Sequence, residues 1–139
     1  MYKLKVEGAF EAAHQVEGYP GKCARLHGHN WVVEAEIKGT ELDKLGMLVD
    51  FKVVKKALGD VLERFDHRFL NELEPFKDGV NPTAENLARI IYGELREDKI
   101  FQGNVSLAAV TVFESPKSSV TYSEASRVES EELRTERDE

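Results

Sequence analysis

Two long runs of alternating polarity fix most of what this chain can become. From Tyr2 to His14 the even positions read Tyr2, Leu4, Val6, Gly8, Phe10, Ala12 and His14, while the odd ones include Lys3, Lys5, Glu7 and Glu11. From His27 to Lys38 the odd positions read His27, His29, Trp31, Val33, Ala35 and Ile37, while the even ones include Asn30, Glu34, Glu36 and Lys38. A period of two marks a strand with one buried face. The spacing predicts two strands: the first ends its apolar face on His14, and the second begins its apolar face on His27 and His29.

Residues two apart on a strand point the same way, so His27 and His29 can reach one point in space. If the strands pair antiparallel, His14 lies across the hairpin from both. The connection from Gln15 to Leu26 is long for a hairpin. It carries Gly18, Pro20, Gly21 and the only cysteine, Cys23, and long loops in compact domains are often functional. A single histidine on an apolar face is commonly a hydrogen-bonded core residue. Three together would leave several ring nitrogens to satisfy. Three imidazoles at adjoining strand ends instead suit a divalent metal such as zinc, with a fourth position left open. The loop returns Cys23 towards that position.

Charge and length narrow the class. The net charge is -7 over 139 residues, which argues against a nucleic-acid backbone as the main partner. Residues 124–139 hold seven acids against three arginines, so this tail carries -4 of the total and the body -3. One domain is expected over residues 1–123, followed by a charged tail over 124–139 that is expected to be mobile or weakly helical. No apolar run nears the length of a membrane span, and no signal-peptide pattern is present. A lone cysteine cannot form an internal disulfide, which fits a cytoplasmic setting.

Further along, Phe51 to Phe65 places Phe51, Val54, Leu58, Val61, Leu62 and Phe65 at helical spacing, with Asp50 as N-cap. Asp66 to Gly79 reads as an irregular connection. A second helix starts near Asn81-Pro82-Thr83, capped by Asn81 or by Thr83, with Ala84, Leu87, Ala88, Ile91, Tyr92 and Leu95 on one stripe. Val105–Glu114 and Lys117–Ser123 are β-rich, parted by Ser115-Pro116. The order ββααββ predicts an α+β domain: an antiparallel four-stranded sheet with two helices on one face. The exposed edges of such a sheet invite pairing with other subunits.

Six ordered motifs then carry a resemblance. They are Phe10-Glu11-Ala12-Ala13-His14; Cys23-Ala24-Arg25-Leu26-His27-Gly28-His29-Asn30; Gly46-Met47-Leu48-Val49-Asp50-Phe51; Asp66-His67; Pro82-Thr83-Ala84-Glu85-Asn86-Leu87-Ala88; and Glu114. Together, from about Phe10 to Tyr122, the chain resembles the 6-pyruvoyl-tetrahydropterin and 6-carboxytetrahydropterin synthase family. The resemblance implies the tunnelling fold, with trimers closing a barrel and two trimers stacking as a hexamer. It implies Zn2+ on His14, His27 and His29, Cys23 as general base, and Asp66 with His67 as a proton relay. It also implies Glu114 as anchor of a pterin ring, with Thr83 and Glu85 lining the pocket.

The implied substrate is 7,8-dihydroneopterin triphosphate. Three residues separate Cys23 from His27, which resembles the branch making 6-carboxytetrahydropterin for deazaguanine (queuosine or archaeosine) synthesis. That reaction expels triphosphate and releases acetaldehyde. Two alternatives stay open at this point: the 6-pyruvoyl product from the same substrate, and a non-catalytic zinc- or pterin-binding module. Trp31 stands where the family more often has tyrosine, a difference expected to alter packing below the metal.

Overall fold

The computed structural model describes residues 1–21 and 25–124. The predicted tail beyond Glu124 falls outside them. Strand β1 spans Tyr2–His14 and β2 spans His27–Gly39. They pair antiparallel without a break, from Tyr2 opposite Gly39 to His14 opposite His27. This is the register the polarity pattern demands, since a slip of one residue would turn every apolar side chain out of the core.

Helix α1, Phe51–Leu62, follows Asp50, whose carboxylate accepts from the Lys52 backbone N–H at 2.8 Å. It stops at Leu62 rather than at Phe65. Phe51, expected on the buried stripe, is exposed, and borders a surface hollow with Tyr2, Leu4 and Met47. Helix α2, Ala84–Arg96, buries all six residues of its predicted stripe. Of the two candidate caps, Thr83 takes the role: its hydroxyl accepts from Asn86 N–H.

The stretch read as irregular contains one short strand, β3, at Arg68–Phe69. The last two strands are β4, Ser106–Ser115, and β5, Ser118–Tyr122. The sheet therefore has five strands in the order β3-β1-β2-β4-β5, not the expected four. The addition is parallel to Ala12 and Ala13 of β1. Two residues are too few to show a period; a tertiary hydrogen bond, His67 N–H to Glu11 O at 2.6 Å, fixes them in place.

Both helices cover one face of the sheet. Between them and the strands lie Phe10, Trp31, Val33, Ile37, Val54, Leu58, Phe65, Leu87, Ile91, Leu95, Val110 and Val112 in one cluster. Phe10 stacks on Trp31 with ring centroids 6.0 Å apart. Gly39 closes β2 where a Cβ would meet the Asn104 backbone oxygen at 2.8 Å and Leu48 at 2.5 Å. Backbone cannot swing aside as a side-chain tip can. Gly39→Ala is therefore expected to cost about 1–3 kcal/mol, read as a lower urea midpoint at unchanged slope.

Candidate metal centre and adjoining cavity

His14 ends β1, His27 and His29 begin β2, and the ladder sets His14 opposite His27 and Ala12 opposite His29. The three rings meet edge to face, with centroids 4.4 to 5.1 Å apart. Trp31 lies beneath, fully buried, 4.9 Å from the His14 ring and 5.3 Å from the His29 ring. Its indole N–H donates to Ala12 O. That bond satisfies the one polar group of the indole.

Backbone carbonyls settle the protonation of two rings. His14 Nδ1 lies 2.7 Å from Pro82 O, and His27 Nδ1 lies 2.7 Å from Arg25 O. A carbonyl only accepts, so each Nδ1 carries the hydrogen and each neutral ring keeps a lone pair on Nε2. Those two Nε2 atoms are 2.9 Å apart. Two lone pairs facing at that distance repel unless a cation or proton lies between them. Orientation of a ligand imidazole by a carbonyl on its far nitrogen is also how metal-binding histidines are held.

Glu114 completes the group. It occupies an irregularity in the β4–β5 ladder between Phe113 and Ser115, and such bulges re-aim a side chain. Its Oε1 lies 3.0 Å from His29 Nε2 and 3.7 Å from His14 Nε2. One donor atom from each of His14, His27, His29 and Glu114 falls within 4.8 Å of all the others, and the group can hold a metal ion. The donor set of imidazoles with one carboxylate suits zinc. Strict alternation back from Glu114 would turn Val112, Val110 and Ala108 inward. Val110 and Val112 are buried, but a bulge opposite Glu36 and Ile37 shifts the inward position from Ala108 to Leu107.

Burial lowers the pKa of His14, and a carbonyl bond from Pro82 and the Glu114 charge only partly oppose it. Burial also lowers that of His29 against the pull of Glu114. In the unfolded chain both rings protonate near pH 6.5; in the fold they stay neutral to lower pH. The unfolded state then binds more protons in that window, so stability falls as pH drops below about 6.5. Thermal unfolding of metal-free protein at pH 7.5 and 5.5 should give the lower midpoint at 5.5; equal midpoints would refute the burial argument.

Beside the cluster is a cavity of about 200 Å³, lined by His14, His27, Glu114, Thr83, Ala84, Glu85, Val16 and Tyr19. The structure thus brings Thr83 and Glu85 to the histidines. Two asparagines hold the loop that forms its wall. Asn71 pairs through both amide atoms with the backbone of Gln15, and Asn81 does the same with Glu17. Asp66 and His67 do not line this cavity. His67 borders a separate open hollow of about 540 Å³ with Glu11, Asn30, Arg68 and His29.

At its border, Asp66 Oδ2 lies 3.0 Å from His67 Nδ1, and Glu11 Oε2 lies 3.4 Å from His67 Nε2. The adjacent side chains do meet, with His67 in the left-handed region at φ 56, uncommon for a residue with a Cβ. Asp66 is held ionised first by the Glu11 backbone N–H and then by His67. Cys23 lies outside the described residues, as does Lys22. Their neighbour Arg25 is described, through the carbonyl that orients His27.

Sequence reasoning missed the two orienting carbonyls, which carry no residue signature. It also missed Glu11, which has the pattern of an ordinary outward acid on β1, and the approach of Glu114 to His29.

An open sheet backed by two helices, with three imidazoles and a carboxylate gathered at the strand ends, defines an α+β domain able to hold a metal ion beside a small cavity. The sequence model of the 6-pyruvoyl tetrahydropterin synthase family matches residues 3–125. The 6-carboxy-5,6,7,8-tetrahydropterin synthase of Haemophilus influenzae is 32% identical over 146 aligned positions, covering 89% of this chain and 100% of that protein. The Synechocystis protein of the same name is 34% identical over 128 positions, covering 88% and 93%. Among solved structures, Caenorhabditis elegans 6-pyruvoyl tetrahydropterin synthase aligns with a TM-score of 0.75 at 29% identity, covering 89% of this chain and 96% of that one. The chain belongs to the 6-pyruvoyl tetrahydropterin synthase family. Among the described residues no helix is long and apolar enough to cross a membrane.

Proposed function

We propose that this protein is a zinc-dependent lyase that converts 7,8-dihydroneopterin triphosphate to 6-carboxy-5,6,7,8-tetrahydropterin, releasing triphosphate and acetaldehyde, in cytoplasmic deazaguanine synthesis. The observation that carries the metal is the facing pair of Nε2 lone pairs on His14 and His27, 2.9 Å apart. The product follows the names of the Haemophilus influenzae and Synechocystis relatives and the three-residue gap between Cys23 and His27.

His14, His27 and His29 hold the ion. When bound, zinc supplies a Lewis acid that polarises side-chain oxygens of the substrate and eases removal of the neighbouring protons. Glu114 accepts two hydrogen bonds from the amino-pyrimidinone edge and sets which side-chain carbon faces Cys23. Thr83 and Glu85 bound the pterin at the start of α2. Cys23 takes or relays the proton as general base, and Asp66 keeps His67 oriented as its exchange partner.

A cavity of about 200 Å³ is smaller than small-molecule sites of ~300–1,000 Å³, and His67 opens into a different hollow. Both points support a site completed between subunits, in the hexamer of two trimers that the family resemblance implies. The bare edges of the sheet at β3 and β5 are the places where such contacts can form.

The test is product identification by mass spectrometry after incubating zinc-assayed protein with 7,8-dihydroneopterin triphosphate. A 6-carboxy product with acetaldehyde is expected. A second reading, the 6-pyruvoyl product, is favoured by the fit to the Caenorhabditis elegans structure; that product without acetaldehyde would establish it instead. Binding of pterin and zinc without triphosphate release would leave a binding module.

A further inference from the structure

We infer that Glu114 is a fourth donor to the cation in the substrate-free protein. This rests on the metal reading above and adds to it. His29 Nε2 is buried and has no hydrogen-bond partner, although Glu114 Oε1 is only 3.0 Å away. The distance suits a hydrogen bond, but the direction does not. A carboxylate accepts, so the pair would be a hydrogen bond only with an Nε2–H aimed along the line to Oε1; out of line as they are, the two atoms are placed as neighbours around a third point.

The separations match that arrangement. Donors about 2.0–2.1 Å from a tetrahedral zinc lie about 3.3 Å from one another. Here His14 to His27 is 2.9 Å, His29 to Glu114 is 3.0 Å and His14 to Glu114 is 3.7 Å, and the remaining pairs of the four lie within 4.8 Å. A bulged strand end lets the carboxylate fill the corner that three histidines leave open, and it cancels one of the two positive charges. The same carboxylate is the proposed pterin anchor. An entering pterin edge that takes both oxygens must draw it off the cation, so ring binding and the opening of the coordination corner become one event.

The experiment uses full-length protein loaded with zinc or cobalt(II), compared with Glu114→Gln, a replacement of equal shape at a partly exposed position, and with Glu114→Asp. Zinc affinity is measured by chelator competition, and the cobalt visible bands report donor set and coordination number. Loss of a merely orienting partner costs roughly 10–100-fold in affinity. Glu114→Gln is expected to reach or exceed the upper figure and to change the cobalt bands, while Glu114→Asp restores part of both. Unsubstituted pterin, which has no side-chain hydroxyls, should move the wild-type spectrum towards that of Glu114→Gln. A Glu114→Gln spectrum identical to wild type overturns the inference, whatever the affinity, as does a wild-type spectrum unmoved by bound pterin. Wild-type protein that takes up neither metal would instead overturn the underlying metal reading.

Discussion

His29→Ala protein is expected to purify folded but without its metal, with zinc affinity reduced by more than about 100-fold and turnover lost with it. Loss of a group that merely orients a ligand costs roughly 10–100-fold in affinity, and removal of the ligand itself must exceed that. His29 is the informative choice among the three. Its side chain is 25% exposed against 2% for His14, so truncation leaves a hollow that water can enter rather than a void. His14→Ala would remove a ring wedged against Trp31 and bonded to Pro82 O, and lost metal could not be separated from lost packing. Elemental analysis of His29→Ala at the wild-type zinc content would refute the ligand set, provided circular dichroism shows the sheet intact.

The second large effect is on chemistry alone. Cys23→Ala should keep its zinc and its KM while kcat falls by about 10²- to 10⁴-fold, the usual contribution of a positioned general base. Cys23 stands close to the metal cluster along the chain. Two residues beyond Cys23 in the chain, the Arg25 carbonyl accepts from His27 Nδ1 at 2.7 Å. A KM unchanged with kcat reduced would separate proton transfer from binding. Full turnover in this variant would remove Cys23 from the mechanism and leave Glu114 or His67 to carry the proton.

Much of the fold was legible because its signals are local. The alternation in β1 and β2 requires their pairing and face, and the stripe of α2 was read residue for residue. The failures share one cause. Phe51 satisfies a helical period yet is exposed, because periodicity cannot say which turns of a helix the rest of the fold covers. Arg68 and Phe69 join β1 through a partner more than fifty residues away. The bulge opposite Glu36 and Ile37 takes Ala108 out of the inward row that strict alternation assigned to it.

The sequence by itself determined that three imidazoles stand at adjoining strand ends. A two-residue period and a forced hairpin register leave His14, His27 and His29 nowhere else to go. Only the tertiary structure decided how those rings are turned and what faces them. The carbonyls of Pro82 and Arg25 choose the tautomers, the β4–β5 irregularity delivers Glu114, and the start of α2 brings Thr83 and Glu85 to the cavity. These are contacts between backbone groups and segments distant in the chain. They depend on where whole elements pack, and no residue's identity encodes that alone.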